Sequence, residues 1–475
     1  MTNSASAGTT SGFPKVFWIA NAVELLERAA YYGVFIVITL YLSRILGFTD
    51  IEAAWLAGSF SAGLYFLPTF SGALADKIGF RAALLLAFGL LTVGYAGLAI
   101  FPALLEAQGL VEYGREAVYH GLLTADIRWA IIPILIVIMI GGSFIKAVIT
   151  ATVAKSTSIS NRAKGFSIFY MMVNIGAFSG KTVVKPLRES MGDLGLINLN
   201  YFAAGMTAIA FVSIFIFFKN AEADTQGKTM GEVWTAFKQV MTNGRLVSLI
   251  LIITGFWMVQ HQLYATMPKY VLRMAGEGAS PSWYANVNPL IVFLSVSFIT
   301  SVMSKKSALF SMTVGMFIMP LSALLMASGN MLDGNISFGF VEMHPIAAMM
   351  IIGIVFQGLA ECFISPRFLE YFSLQAPKGE EGLYLGFSHL HSFLSSLLGF
   401  GLSGYLLQAY CPDPRTFKTH EAWQAASANA HYIWYVFAAI ATVSAIALII
   451  YGVVIKRMDA KDDADNNAEG ELAAA

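Results

Sequence analysis

In the stretch NAVELLERAAYYGVFIVITLYL, two carboxylates, a guanidinium and a phenol fall at Glu24, Glu27, Arg28 and Tyr31. Offsets of zero, three, four and seven put all of them on one helical face. The run is otherwise apolar and long enough to cross a bilayer, which takes about 20 residues. Each charge at bilayer centre costs about 2.5–3.5 kcal/mol on insertion scales, so this face must meet a wet cavity or its charges must pair. Proton or substrate handling is one reading of the cluster. The other makes Glu27 and Arg28 a mutual lock between helices and leaves Glu24 without a role.

Two more charges interrupt apolar runs, Lys146 in GGSFIKAVITATVAK and Glu361 in FQGLAECFISPRFLEYF. If they meet, the pair favours one conformational state and a proton on Glu361 releases it, because neutralisation removes the attraction. Alternatively, each finds a partner in its own half of the chain, Lys146 with Glu24 or Glu27. Ser365 and Pro366 follow Glu361, and a proline inside a helix removes a backbone donor and can form a hinge. Arg367 and Glu370 read as a structural pair. Tyr65, Tyr170 and Asn174 are polar groups at depth that suit either a cavity wall or interhelical hydrogen bonds. Trp257, Gln260, His261 and Gln262 form a polar patch in TGFWMVQHQLYAT, where His261 is either a titrating group or a neutral hydrogen-bonded one. His389 and His391, two apart on a helix, point to different faces, so no metal site is expected.

The elements that hold these residues are membrane spans. Of 475 residues, 57% are hydrophobic and 12% charged, which excludes a soluble protein. Zero net charge excludes a nucleic-acid partner. Two cysteines offer neither a disulfide framework nor a thiolate metal site. Twelve continuous apolar segments, from 16–44 to 430–455, read as helices, because lipid admits only helices or closed barrels and these runs do not alternate. With the amino terminus in the cytoplasm, 16 basic residues fall inside and 10 outside, so both termini are expected inside a cell (inner) membrane. Lys181, Lys185, Arg188, Lys269 and Arg273 are among the ten.

The expected organisation is a disordered tail over 1–15, a six-helix bundle over 16–219, a cytoplasmic linker over 220–245, a second six-helix bundle over 246–456 and a disordered tail over 457–475. The linker stretch MGEVWTAFKQVM has apolar residues at helical spacing. NMLDGNISFGFVEM, in the loop 329–344, carries hairpin turns. The expected fold is an all-α integral membrane protein of two six-helix bundles, an organisation that points to a transporter whose halves rock about a central site. No catalytic box of the kind an intramembrane enzyme needs is present, so the chain is read as no enzyme.

Several motifs strengthen that reading. GALADKIGFR resembles the loop signature of the major facilitator superfamily. Glu24-x-x-Glu27-Arg28-x-x-Tyr31-Tyr32-Gly33 resembles the first-helix signature of its proton-dependent oligopeptide transporter (POT) family. Phe144-Ile145-Lys146, Phe169-Tyr170-x-x-x-Asn174-x-Gly176, Asn288-Pro289 and Glu361-x-x-x-Ser365-Pro366 match in order along both halves.

The resemblance implies a proton-coupled symporter for di- and tripeptides or a similar zwitterion, driven by a proton gradient, without cofactor or metal, and working as a monomer in the lipid bilayer. Glu24, Glu27, Arg28 and Glu361 would couple protons. Tyr32, Tyr65, Lys146, Tyr170, Asn174, Trp257, Asn288, Glu361 and Ser365 would contact substrate. Phe35, His261 and Pro366 would gate. Phe35 and His261 stand where the family usually carries an arginine and a glutamate that pair across the halves, so a neutral or titratable contact is expected there. Ala29, Ala147 and Ser388 replace the family's phenylalanine, proline and tryptophan. The alternative is a major-facilitator carrier for another organic solute with altered gating and coupling.

Overall fold

The protein is described by a computed structural model over residues 12–157, 161–218, 229–339, 341–376 and 381–474. The first half holds α1 (Lys15–Phe35, continued after a 45° bend by Ile38–Ile45), α2 (Asp50–Phe66 and Pro68–Ile78), α3 (Phe80–Ala107), α4 (Ile131–Lys155), α5 (Arg162–Met191) and α6 (Leu194–Phe217). The second holds α7 (Gly244–Ala265, followed by Met267–Ala275), α8 (Val287–Met303), α9 (Ala308–Ser328), α10 (Pro345–Leu374), α11 (Leu390–Tyr410, preceded by Glu381–Ser388) and α12 (Tyr432–Ala474).

Each of the twelve expected segments falls on one of these helices. Among the described residues, apolar length alone picks out nine, or ten when bent α1 counts as one span. The other two are α2 and α5. Pro68 divides α2 into pieces that are each short for a bilayer, and α5 carries Lys181, Lys185 and Arg188. Both lie between other helices, so neither has to satisfy lipid alone.

Helix packing repeats with an offset of six. α1 lies on α5, α3 on α4 and α3 on α6, and the second half pairs α7 with α11, α9 with α10 and α9 with α12. The two bundles are thus one packing plan used twice, and they meet mainly where α2 runs along α11. Small residues permit that approach. A Cβ on Gly58 would lie 2.8 Å from Phe400 Cβ, and Ser61 and Ser396 hydroxyls meet at 2.9 Å beside it. On the other side of α1, a Cβ on Gly176 would lie 2.7 Å from Arg28 Cβ, so the glycine sets how closely α5 carries its cavity face to the α1 charges.

The start of α1, the linker helix Met230–Thr242 and the end of α12 define one face of the bundle, called here the terminal face, and the opposite side is the far face. The linker helix Met230–Thr242 starts at a capping box in which Thr229 and Glu232 exchange backbone hydrogen bonds, and it buries Val233, Ala236 and Val240. The far-face loop 329–344 contains a two-residue hairpin pairing Ile336 with Met343 and Ser337 with Glu342. The carboxyl end differs from expectation: helix α12 continues to Ala474 instead of giving way to a disordered tail at 457. The segment is rich in Ala, Lys, Asp and Glu without proline, and Asp459 ties its start to Arg245 at 2.7 Å. The expected amino-terminal tail lies outside the described residues as far as residue 11.

Candidate functional site

A cavity of about 950 Å³ lies between the halves. Nine of the expected site residues line it: Glu24, Arg28, Tyr32, Tyr65, Lys146, Tyr170, Asn174, Asn288 and Glu361. It reaches toward the terminal face past Pro68, Ala154, Leu369 and Gly386. Four tyrosines, Tyr32, Tyr65, Tyr170 and Tyr264, supply apolar rings with polar tips, a surface suited to a small amphipathic ligand.

The α1 charges form a closed group. Arg28 Nε is 3.2 Å from Glu24 and 2.5 Å from Glu27, and all three side chains are buried. Its guanidinium also lies over the Tyr31 ring. One cation shared by two carboxylates leaves the group one negative charge in excess, which a single proton cancels. Glu27 sits behind Arg28 and off the cavity wall.

The expected pair of Lys146 with Glu361 is not formed. Lys146 Nζ lies over the Tyr65 ring, 4.5 Å from its centroid, within the first half. Glu361 Oε2 accepts from Gln260 Nε2 at 2.8 Å and Asn288 Nδ2 at 3.4 Å, both in the second half. The reason is geometric: in this state α4 and α10 face each other across the cavity, and each charge takes the polar groups of its own half.

Sequence reasoning missed Lys181, assigned there to the outer loops. It is 2% exposed and lines the cavity. Its ammonium donates to Ala285 O at 3.3 Å and lies 5.3 Å from the Tyr32 ring centroid and 5.9 Å from that of Tyr264. The residue follows Tyr170 and Asn174 by eleven and seven positions, which is the same face of α5. That spacing could have found it.

Other expected site residues lie off the cavity. Trp257 turns to α11 and stacks on His391 with ring centroids 5.3 Å apart. Ser365 Oγ is buried with no hydrogen-bond partner among the described residues, and α10 continues through Pro366 without a break. Phe35 and His261 are both buried, yet their neighbour in common is Phe400, whose ring is 5.9 Å from Phe35 and 6.2 Å from His261. At the expected gate, Phe35 and His261 are separated by Phe400 of α11, whose ring is tilted by 45° to that of Phe35 and by 56° to that of His261. His261 Nδ1 is 3.3 Å from Ser395 Oγ at the break in α7. The structural pair of Arg367 and Glu370 is present at 2.6 Å.

Between the cavity and the far face, ion pairs join the halves. Asp50 of α2 accepts from Lys269 at 2.7 Å and from Arg273 at 2.8 and 2.9 Å, with both cations buried and the Asp50 side chain 8% exposed. Arg273 also donates to Cys411 O at 2.6 Å. Arg44 and Arg188 of the first half both hold Glu277 of the second, Arg188 at 2.8 Å. Asp193 lies 3.6 Å from Arg44 and 3.8 Å from Arg415. Burial alone would raise the Glu277 carboxyl, but the Arg44 hydrogen bonds and the charges of Arg44 and Arg188 outweigh it and hold it below its ordinary value. The far face is closed, and the cavity lies on the terminal side of that closure.

Comparison with known proteins fits this architecture. Dipeptide and tripeptide permease A of Citrobacter koseri is 27% identical over 262 residues, 54% of this chain and 46% of that protein. The chain thus spans about half the length of that curated relative. Dipeptide and tripeptide permease B of Photorhabdus asymbiotica is 26% identical over 451 residues, 81% of this chain and 86% of that protein. The crystal structure of the POT family transporter PepTSo superposes with a TM-score of 0.69 at 18% identity, covering 94% of this chain and 99% of that one. The family profile described as Major Facilitator Superfamily matches residues 21–341. With its twelve helices in two six-helix bundles around a central cavity, the chain belongs to the major facilitator superfamily, as a transporter related at low identity to the POT family peptide transporters.

Proposed function

We propose that the protein is a proton-coupled symporter that imports di- and tripeptides, or a similar small zwitterion, by alternating access. The observation that carries this reading is the charge layout of one cavity: Lys146 on the first half, Glu361 on the second, and the Glu24–Glu27–Arg28 group beside them. A zwitterion needs an anion for its amine and a cation for its carboxylate, and here they sit on opposite bundles. Bound substrate would bridge the halves and favour their approach. A proton on Glu24 or Glu27 would leave Arg28 one carboxylate fewer and loosen the α1 group, which links proton occupancy to the same cavity.

The basic-residue count supports a cytoplasmic terminal face in the cell membrane, so the described state faces inward with its outer side shut. The chain is taken to work as a monomer, each protomer having its own cavity. Uptake of labelled dialanine into proteoliposomes tests the proposal: accumulation should follow an inwardly directed proton gradient and collapse with an uncoupler. Uptake indifferent to the gradient would reject symport.

A second reading, a carrier for another organic solute, is favoured by Phe35, His261 and Ser388 at positions where POT members usually carry different groups. Failure of di- and tripeptides to compete for a solute that is transported would select it.

A further inference from the structure

The cavity contains more cation than a neutral peptide requires. Arg28 is taken up by Glu24 and Glu27, and Glu361 is held by the amides of Gln260 and Asn288. Two ammonium groups, Lys146 and Lys181, have no carboxylate at ion-pair distance among the described residues, Lys181 feeling the charge of Glu361 without pairing with it. Lys146 rests on an aromatic ring, and Lys181 on aromatic rings and one backbone carbonyl. An ammonium has three donors, and one weak acceptor with ring faces leaves Lys181 well short of the partners water would give it. Counting Glu27 with the cavity groups, three cations balance three carboxylates. Adding a coupling proton therefore leaves one surplus positive charge inside the protein, where net charge is costly.

We propose that Lys181 is an anion-binding group of this cavity and that the preferred substrate class is an acidic zwitterion, one amine with two carboxylates, such as a dipeptide containing aspartate or glutamate. This rests on the peptide-carrier reading above. Glu361 takes the amine, Lys146 one carboxylate and Lys181 the second. Tyr32 and Tyr264, beside Lys181, lie under the acidic side chain. The acidic substrate brings one net negative charge, which cancels the surplus left by the proton, so the loaded cavity is neutral. A neutral dipeptide leaves that charge uncompensated and Lys181 without its partner.

The test is competition against labelled dipeptide uptake in proteoliposomes, with Ala-Ala, Ala-Glu, Asp-Ala and Ala-Lys as competitors. Acidic peptides should compete about tenfold better than Ala-Ala, the increment of one charge-assisted hydrogen bond. Lys181→Gln should bring that ratio toward one, and Lys181→Arg should keep most of it. Equal competition by acidic and neutral peptides in the unmodified protein overturns the proposal, whatever the variant does. So does an acidic preference that survives in Lys181→Gln, which would reduce Lys181 to a latch on Ala285. If no peptide competes, the peptide-carrier reading fails separately. Thermal stabilisation of the purified protein by glutamate and glutarate then decides the anion site: loss of stabilisation in Lys181→Gln sustains it, and stabilisation equal in both proteins, or absent, overturns it.

Discussion

The far-face closure and the cavity use the same ionic side chains in opposite ways. At the closure, Asp50 receives both Lys269 and Arg273, and Glu277 receives both Arg44 and Arg188, so acid and base from different halves satisfy one another directly. In the cavity, Lys146 and Lys181 lie on tyrosine rings, Lys181 also donating to Ala285 O, and among the described residues Glu361 accepts from amides. Charges that hold the halves together are fully paired, whereas charges left on rings and amides are those a ligand can still recruit. The difference separates a latch from a binding site built from one set of residue types.

The comparison breaks first at Asp50. Asp50→Ala leaves Lys269 buried without its carboxylate and Arg273 with only Asp413 at 3.8 Å, a loss of about 3–5 kcal/mol for an uncompensated buried charge. The expected outcome is a fall of several degrees in the unfolding temperature in detergent, with a cysteine placed in the cavity becoming open to labelling from the far face.

Next is the ring cluster of Phe35, Phe400 and His261. Phe35→Arg buries a cation among the rings of Tyr31, Phe60, Tyr264 and Phe400, and uptake should fall more than tenfold. Adding His261→Glu should recover a part and not the whole, because Phe400 stands between the two positions. Initial uptake at matched expression checks both variants.

A smaller effect separates the halves of the cavity. Lys146→Ala and Glu361→Gln should each impair transport, and in a double-mutant cycle their binding effects should add within about 0.5 kcal/mol, since they use different partners. Lys146→Ala combined with Glu24→Gln should depart from additivity, since both line the cavity from the first half and their charges act on each other.

The smallest expected effect concerns pH at the closure. Because the Glu277 carboxyl is held below its ordinary value, its contribution is complete above that ordinary value, about 4.3, and is lost as pH falls through the depressed one. Far-face labelling of the same cavity cysteine should therefore be flat between about pH 5 and 8 and rise only in stronger acid.

Much of the architecture was readable from local pattern. Apolar run length marks the helices, and the helical spacing of Glu24, Glu27 and Arg28 marks a face that lipid cannot accept. What depends on distant partners was not readable. Asp50 looks like an acid at a helix start, and its cations lie more than 200 positions away in the chain. Arg188, Lys269 and Arg273 enter the sequence reading only as a count for orientation, although their side chains close the bundle. Charge count places Lys181 on the outer side although it shares a helical face with Tyr170 and Asn174, because a lysine near a span end carries no local mark of the cavity it faces. The resemblance implies substrate contact for Trp257, but a helix face is settled by packing, and its ring stacks on His391.

The central claim is that the α1 group couples protons to movement of substrate through the cavity, and Glu24→Gln and Glu27→Gln test it most directly. In proteoliposomes under an inward proton gradient, each variant should lose accumulation of labelled dipeptide while retaining exchange of external label for internal peptide without a gradient. Full proton-driven accumulation in both variants would contradict the account.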